Sequence, residues 1–194
     1  SGNYTPRMSE TSEITHPSTC RVLRNFNPFR SLPDSNRGGP NELIAMLTTS
    51  RETKCHCPKV LIVDDDVFNI TALNIILDKL GFASDSAYNG EQAIKKVLQR
   101  QETPCSSGCE QYRIIFMDCS MPILDGFEAT KRLRAMMSTE TIPTVPIIGC
   151  TAFVQAQERQ RALASGMDTV CSKPLDRDKI SSLIKEYISN GSSK

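Results

Sequence analysis

Val60-Leu61-Ile62-Val63-Asp64-Asp65-Asp66 couples a short apolar run to three consecutive carboxylates, and Ile114-Ile115-Phe116-Met117-Asp118 repeats the arrangement with a single one. Such short, uniformly apolar runs read as strands covered on both faces, as in a parallel sheet. If the two runs are parallel neighbours, their C-terminal ends deliver Asp64, Asp65 and Asp118 to one crevice. Like charges coexist there only with a cation or with raised pKa values. The pattern predicts an acidic, metal-binding pocket.

Outward from these runs, apolar bursts alternate with amphipathic stretches, the signature of repeated strand-helix units. Strands are expected at Lys59–Val63, Phe82–Ala87, Arg113–Met117, Val145–Cys150 and Thr169–Ser172. Helices are expected at Val67–Leu80, Glu91 to about Arg100, Gly126–Met137, about Val154–Ala164 and about Asp176–Ile188. Helical spacing of Ile70, Leu73, Leu77 and Leu80 with a stop at Gly81 supports the first, and Asn89-Gly90 opens the second. Strict alternation with helix-length crossovers implies an α/β three-layer sandwich, a flavodoxin-like (βα)5 fold of strand order 2-1-3-4-5.

The preceding residues differ in kind. Residues 1 to about 40 hold five of the eleven prolines and ten Ser or Thr, with hydrophobes too scattered to form a face, so 1–56 reads as linker or disordered tail and 57–194 as the domain. A helical turn or two is expected at Asn41 to Leu47. The tail carries a net charge of +2 and the rest −1, which excludes a nucleic-acid binder. No apolar run approaches the ~18 residues of a membrane span, and no signal-peptide core is present, so the fragment is expected to be cytoplasmic and without direct membrane contact. A start at Ser1-Gly2 without Met suggests an excised piece of a larger, even membrane-anchored, parent.

With that strand order, the strand ends also bring Thr151 and Lys173 to the crevice. Pro174 excludes helical geometry at Lys173 and holds it extended. Its ammonium can neutralise an incoming anion, and the Thr151 hydroxyl, beside the small Ala152, can bond a phosphoryl oxygen. Taken together, Val60-Leu-Ile-Val-Asp-Asp-Asp66, Ile115-Phe-Met-Asp-Cys-Ser-Met-Pro-Ile-Leu-Asp-Gly126, Gly149-Cys-Thr-Ala152 and Ser172-Lys-Pro-Leu175 resemble, in order, the motifs of response-regulator receiver domains. The version is that of eukaryotic hybrid histidine kinases, and the resemblance covers about residues 59 to 190.

The resemblance implies that Asp118 accepts phosphate from a phosphohistidine of a histidine kinase or histidine phosphotransfer protein. It implies that Asp64, Asp65, Asp118 and the backbone carbonyl of Ser120 hold Mg²⁺ (or Mn²⁺), while Thr151 and Lys173 bind the phosphoryl group. Such a domain catalyses its own phosphorylation and dephosphorylation, then signals through Thr151 or passes the phosphate on. The chain departs from the family in two places: Val170 stands where an aromatic switch residue is common, and Asp66 replaces a common asparagine. Asp66 is read as a cap of the first helix. A degenerate receiver serving only as a protein-interaction scaffold is the alternative. Ser120 occupies the place of the second aspartate that a haloacid-dehalogenase-type phosphatase requires, and three carboxylates stand where a flavodoxin would hold flavin phosphate. The lack of an apparent output module favours the C-terminal receiver of a hybrid kinase whose catalytic domains lie elsewhere, over a stand-alone receiver with a long extension.

Eight cysteines without a secretory signal favour thiols or metal ligands over a disulfide framework. Cys119, Cys150 and Cys171 read as small buried hydrophobes. Cys55 and Cys57 precede strand one and Cys105 and Cys109 precede strand three, so four thiolates, or three with His56, could close a structural Zn²⁺ site opposite Asp118. Exposed loop cysteines are the competing and simpler reading.

Overall fold

The computed structural model describes residues 57–104, 109, 111–152 and 155–189. The helix expected at Asn41 to Leu47 and the tail reading fall outside them. Five strands, β1 (Val60–Val63), β2 (Ser84–Ala87), β3 (Ile114–Asp118), β4 (Ile147–Thr151) and β5 (Thr169–Ser172), form one parallel sheet ordered β2-β1-β3-β4-β5. Between and after them run α1 (Val67–Lys79), α2 (Gly90–Glu102), α3 (Gly126–Ser138), α4 (Ala156–Ser165) and α5 (Arg177–Ile184), the last continuing into a π-helical turn, Lys185–Ser189. The expected architecture is the observed one, with element ends displaced by a few residues.

Alternation along each strand divides the core. Leu61, Val63, Ile115, Met117 and Ile147 pack on one face with Ala93 and Val97 of α2, Phe127 and Leu133 of α3 and Ala162 of α4. Val60, Ile62, Ile114, Phe116 and Ile148 pack on the other with Ile70, Leu73 and Leu77 of α1 and Ile180 and Leu183 of α5. Every residue of β1 and β3 is buried, which explains why these runs carry no polar alternation. Burial of each such side chain stabilises the fold by roughly 1.5–3 kcal/mol. β2, at the sheet edge, is Ser-Asp-Ser-Ala and only its last residue is buried.

Four helices start on side-chain caps: Asp66, Asn89, Asp125 and Asp176 accept from the backbone N–H groups of Phe68, Gln92, Glu128 and Lys179. Each cap satisfies a donor that the helix cannot. α4 differs, since its cap residue Gln155 makes no such bond and only Ala162 and Ser165 are buried in it. Its C-terminus is firmer: Gly166 closes it at φ 102°, and Arg134 donates through Nε to the Gly166 carbonyl at 2.7 Å and pairs through Nη2 with Asp168 at 2.6 Å.

The loop from β3 to α3 is held against the strand it leaves. Gly126 N–H donates to the Cys119 carbonyl at 3.2 Å, and a Cβ at Gly126 would lie 2.0 Å from the Asp118 carbonyl oxygen. That obstruction is backbone and cannot turn aside. Gly126→Ala should therefore lower stability by about 3 kcal/mol, read as a reduced urea midpoint with unchanged slope. A midpoint equal to wild type would show that this loop is not fixed against β3.

Candidate functional site

The parallel register sets Val63 beside Met117 and Asp118 beside Cys150, so the carboxylates and Thr151 emerge at one edge of the sheet. Lys173 follows β5 directly, and its backbone N–H donates to the Thr151 carbonyl at 2.8 Å. From there its ammonium reaches both buried aspartates, 2.5 Å from Asp64 Oδ2 and 2.9 Å from Asp118 Oδ1. Ligand oxygens of Asp64, Asp65 and Asp118 lie within 4.8 Å of one another, with Asp64 and Asp118 buried and Asp65 exposed.

Three neighbouring aspartates thus have three environments. Asp64 Oδ1 accepts from the Asp66 backbone N–H and from Asn69 Nδ2, both at 3.0 Å, which fixes its carboxylate plane. Asp65 faces solvent. Asp66 points away as the α1 cap, as its sequence position predicts. Asp118 has its pKa raised: burial is the dominant cause, Lys173 opposes it, and the charges of Asp64 and Asp65 add to it. Burial works against the charge on Lys173, yet its hydrogen bonds to Asp64 and Asp118 prevail and raise its pKa, keeping it an ammonium.

Thr151 is buried, and its hydroxyl donates to Glu158 Oε2 at 3.2 Å. Val170 is buried beside Met167 and Gly149, a packing position for a small aliphatic side chain. Ser120 is exposed two residues beyond Asp118. Burial first, then the charges of Asp118 and Glu158, push the Cys119 thiol up to about 12, so it is an inert neighbour of the site. Cys150 and Cys171 are likewise buried, as expected.

Asn69 and Glu158 were not anticipated from the sequence. An asparagine one turn into the helix that follows the acidic run was the available signal for the first. Nothing local marks Glu158, whose role depends on how α4 folds back on β4.

Among the described residues, Asp64, Asp65 and Asp118 are the one group of His, Cys, Asp and Glu side chains that converges as metal ligands must. An all-oxygen set of this size, open to water through Asp65, suits Mg²⁺, which keeps several waters and takes few carboxylates. Of the cysteines considered for zinc, Cys57 and Cys109 are half-buried where β1 and β3 begin, opposite Asp118, while Cys55, His56 and Cys105 lie outside the described residues.

Residues 60–185 match the family model of the response regulator receiver domain. The chain is 38% identical over 133 residues to hybrid signal transduction histidine kinase L of Dictyostelium discoideum, covering 69% of this chain and 7% of that protein. It is 38% identical over 122 residues to two-component system protein A of Emericella nidulans, covering 62% and 16%. The chain therefore spans only a small part of the length of these relatives. Its fold superimposes with a TM-score of 0.56 and 28% identity on the receiver domain of sensor histidine kinase PA1611 from Pseudomonas aeruginosa, solved with magnesium in the active-site cleft, over 69% of this chain and 99% of that one. It superimposes equally, with a TM-score of 0.56 and 29% identity, on the receiver domain of Ssk1 from Saccharomyces cerevisiae in complex with the histidine phosphotransfer protein Ypd1, over 67% and 88%.

Burial of the Asp118 charge sets a pH dependence of stability. Because its folded-state pKa is raised, its contribution is complete below the ordinary aspartate value of about 3.9 and is lost as pH rises through the raised value. Asp118→Asn escapes that loss. Without divalent metal, the variant should show the higher urea midpoint at neutral pH, and the two curves should converge as pH falls into the acid range. Equal midpoints at pH 7 would mean that Lys173 compensates the charge fully.

Proposed function

Because the chain belongs to the response regulator receiver domain family, we propose that Asp118 accepts a phosphoryl group from a phosphohistidine and that residues 57–194 form the receiver, preceded by a linker or disordered tail over 1–56. The observation that carries this is the pairing of Lys173 with Asp64 and Asp118 at the crest of a sheet that also presents Thr151. Asp64, Asp65 and Asp118, with the backbone carbonyl of Ser120, would hold Mg²⁺ or Mn²⁺. When bound, the ion supplies positive charge to the oxygens of the transferring group.

The remaining work belongs to the side chains. An Asp118 carboxylate oxygen attacks phosphorus in line as the phosphorus–nitrogen bond to imidazole breaks, and the imidazole leaves with the electron pair. Lys173 moves part of its interaction to a phosphoryl oxygen, offsetting negative charge in the transition state. Thr151 donates to a second oxygen. Water then attacks phosphorus, releasing inorganic phosphate and restoring the Asp118 carboxylate. No aromatic rotamer at position 170 takes part, since Val170 is aliphatic and buried.

The donor is a histidine kinase or a histidine phosphotransfer protein. The parent is a hybrid histidine kinase, supported by the relatives of that kind. The function is phosphorelay signalling in the cytoplasm, by conformational change or onward transfer. Zinc is not part of this reading.

Incubation with Mg²⁺ and acetyl phosphate should give one hydroxylamine-labile adduct by intact mass, absent from Asp118→Asn. Labelling should slow as pH falls through the raised Asp118 value, since only the carboxylate attacks. Lys173→Ala should retain metal binding and label more slowly, on the order of a hundredfold. A folded wild-type protein that binds Mg²⁺ yet stays unlabelled would instead mark a scaffold receiver.

A further inference from the structure

α4 is the least anchored helix on its face of the sheet. Its N-cap makes no side-chain bond, only Ala162 and Ser165 are buried, and among the described residues its N-terminal half is tied to the rest of the protein through polar contacts. One is the Thr151 hydroxyl donating to Glu158 Oε2. The others come from Arg161, which lies 3.6 Å from Asp125 Oδ2 and 4.1 Å from the centre of the Phe127 ring. Arg161 is mostly solvent-exposed, so its ion pair contributes little by itself. The Thr151–Glu158 contact is half-buried and reaches the site directly.

A threonine hydroxyl has one proton to donate. Thr151 can give it to Glu158 or to a phosphoryl oxygen on Asp118, but not to both. The bond to Glu158 is long for a hydroxyl–carboxylate pair, which settles at about 2.5–2.7 Å when strong, so a better acceptor can take its place. Glu158 also adds negative charge close to where a dianionic group must arrive, and that charge is felt at Cys119, next to Asp118.

Resting on the reading of Asp118 as phosphoacceptor, we propose that Glu158 is a positioning residue that competes with the phosphoryl group for the Thr151 hydroxyl. It holds Thr151 and the first turn of α4 in the unphosphorylated arrangement. Capture of a phosphoryl group at Asp118 draws the Thr151 proton away, and α4 then loses the half-buried one of its N-terminal ties. The carboxylate thereby couples chemistry at the sheet edge to the first turn of α4.

The test compares labelling by acetyl phosphate with Mg²⁺ in wild type, Glu158→Ala, Glu158→Gln, Thr151→Ala and Thr151→Ala/Glu158→Ala, alongside amide hydrogen exchange of α4 before labelling. Glu158→Ala should label about threefold to tenfold faster than wild type, the value of one weak charged hydrogen bond. Glu158→Gln, which keeps an acceptor without the charge, should fall between. In the Thr151→Ala background the Glu158 substitution should accelerate labelling less than it does in wild type, because only the charge is then removed and there is no hydroxyl to compete for. Unlabelled Glu158→Ala should exchange its α4 amides at the faster rate that wild type reaches only when phosphorylated. Equal or slower labelling by Glu158→Ala would overturn the inference, as would an acceleration that persists undiminished without Thr151. Failure of wild type itself to label would overturn the Asp118 reading instead, and this inference with it.

Discussion

Two buried carboxylates on adjacent strands, bridged by one ammonium, are the constraint around which the site is arranged. At about 4 Å and an effective dielectric of about 20, two unit charges interact by ~4 kcal/mol, so the neighbouring carboxylates repel strongly and a cation between them offsets that repulsion. The strand order determines where that cation must come from. β5 is separated from β3 by β4, and neighbouring strands lie about 4.8 Å apart, so a group at the end of β5 has to span roughly 10 Å to reach Asp118. A lysine side chain closes that gap together with the Asp118 side chain and the 2.9 Å contact between them. Thr151, on the intervening β4, has to be short for the lysine to pass. The lengths of Asp, Thr and Lys thus follow from the position of each strand relative to β3.

The same crest is linked to the helices with uneven strength. α3 is locked to it, because the Gly126 backbone sits against the Asp118 carbonyl and Asp125 caps the helix just beyond. α1 is fixed through its Asp66 cap and through Asn69, which bonds Asp64. α4 is different. At its far end Arg134, Gly166 and Asp168 form a connected set of short hydrogen bonds, and Asp168 also accepts from the Ile147 N–H at 2.7 Å. At its near end Thr151, Glu158 and Arg161 make longer contacts, two of them largely solvated. A helix fastened at the C-terminal end and lightly held beside the site can tilt about its anchored end without unpacking the core.

Much of this was legible in the sequence because the sheet is parallel. β1 and β3 are covered on both faces, so their chemistry stands out as unbroken apolar runs ended by acids. The edge strand β2 lacks that signal: Ser84-Asp85-Ser86-Ala87 could be recognised only from its place between two helices, and it begins two residues later than Phe82. β4 begins at Ile147 rather than Val145, because Pro146 has no N–H to offer the ladder and contributes only its carbonyl, which accepts from Ile115. The start of α4 and the π turn after Ile184 were displaced for want of capping signals. Asp64, Asp118, Thr151 and Lys173 each sit at a strand end, where topology alone predicts convergence. Asn69 and Glu158 reach the crevice from helices, and which helical side chain does so depends on rotation and tilt that no local pattern encodes.

Identity of residue type makes the choice among the aspartates an environmental one. Both oxygens of Asp64 are engaged, Oδ1 by two donors and Oδ2 by Lys173, so its carboxylate is oriented and its lone pairs are partly spent. Asp65 is exposed, where a carboxylate is well hydrated and a poor candidate for close approach to phosphorus. Asp118 lies between these extremes. It is buried enough for its charge to be disfavoured, and among the described residues Lys173 engages it through Oδ1 alone. In the proposed reading, then, the attacking group is Asp118: the carboxylate whose charge burial most disfavours and which therefore gains most from sharing it with phosphorus.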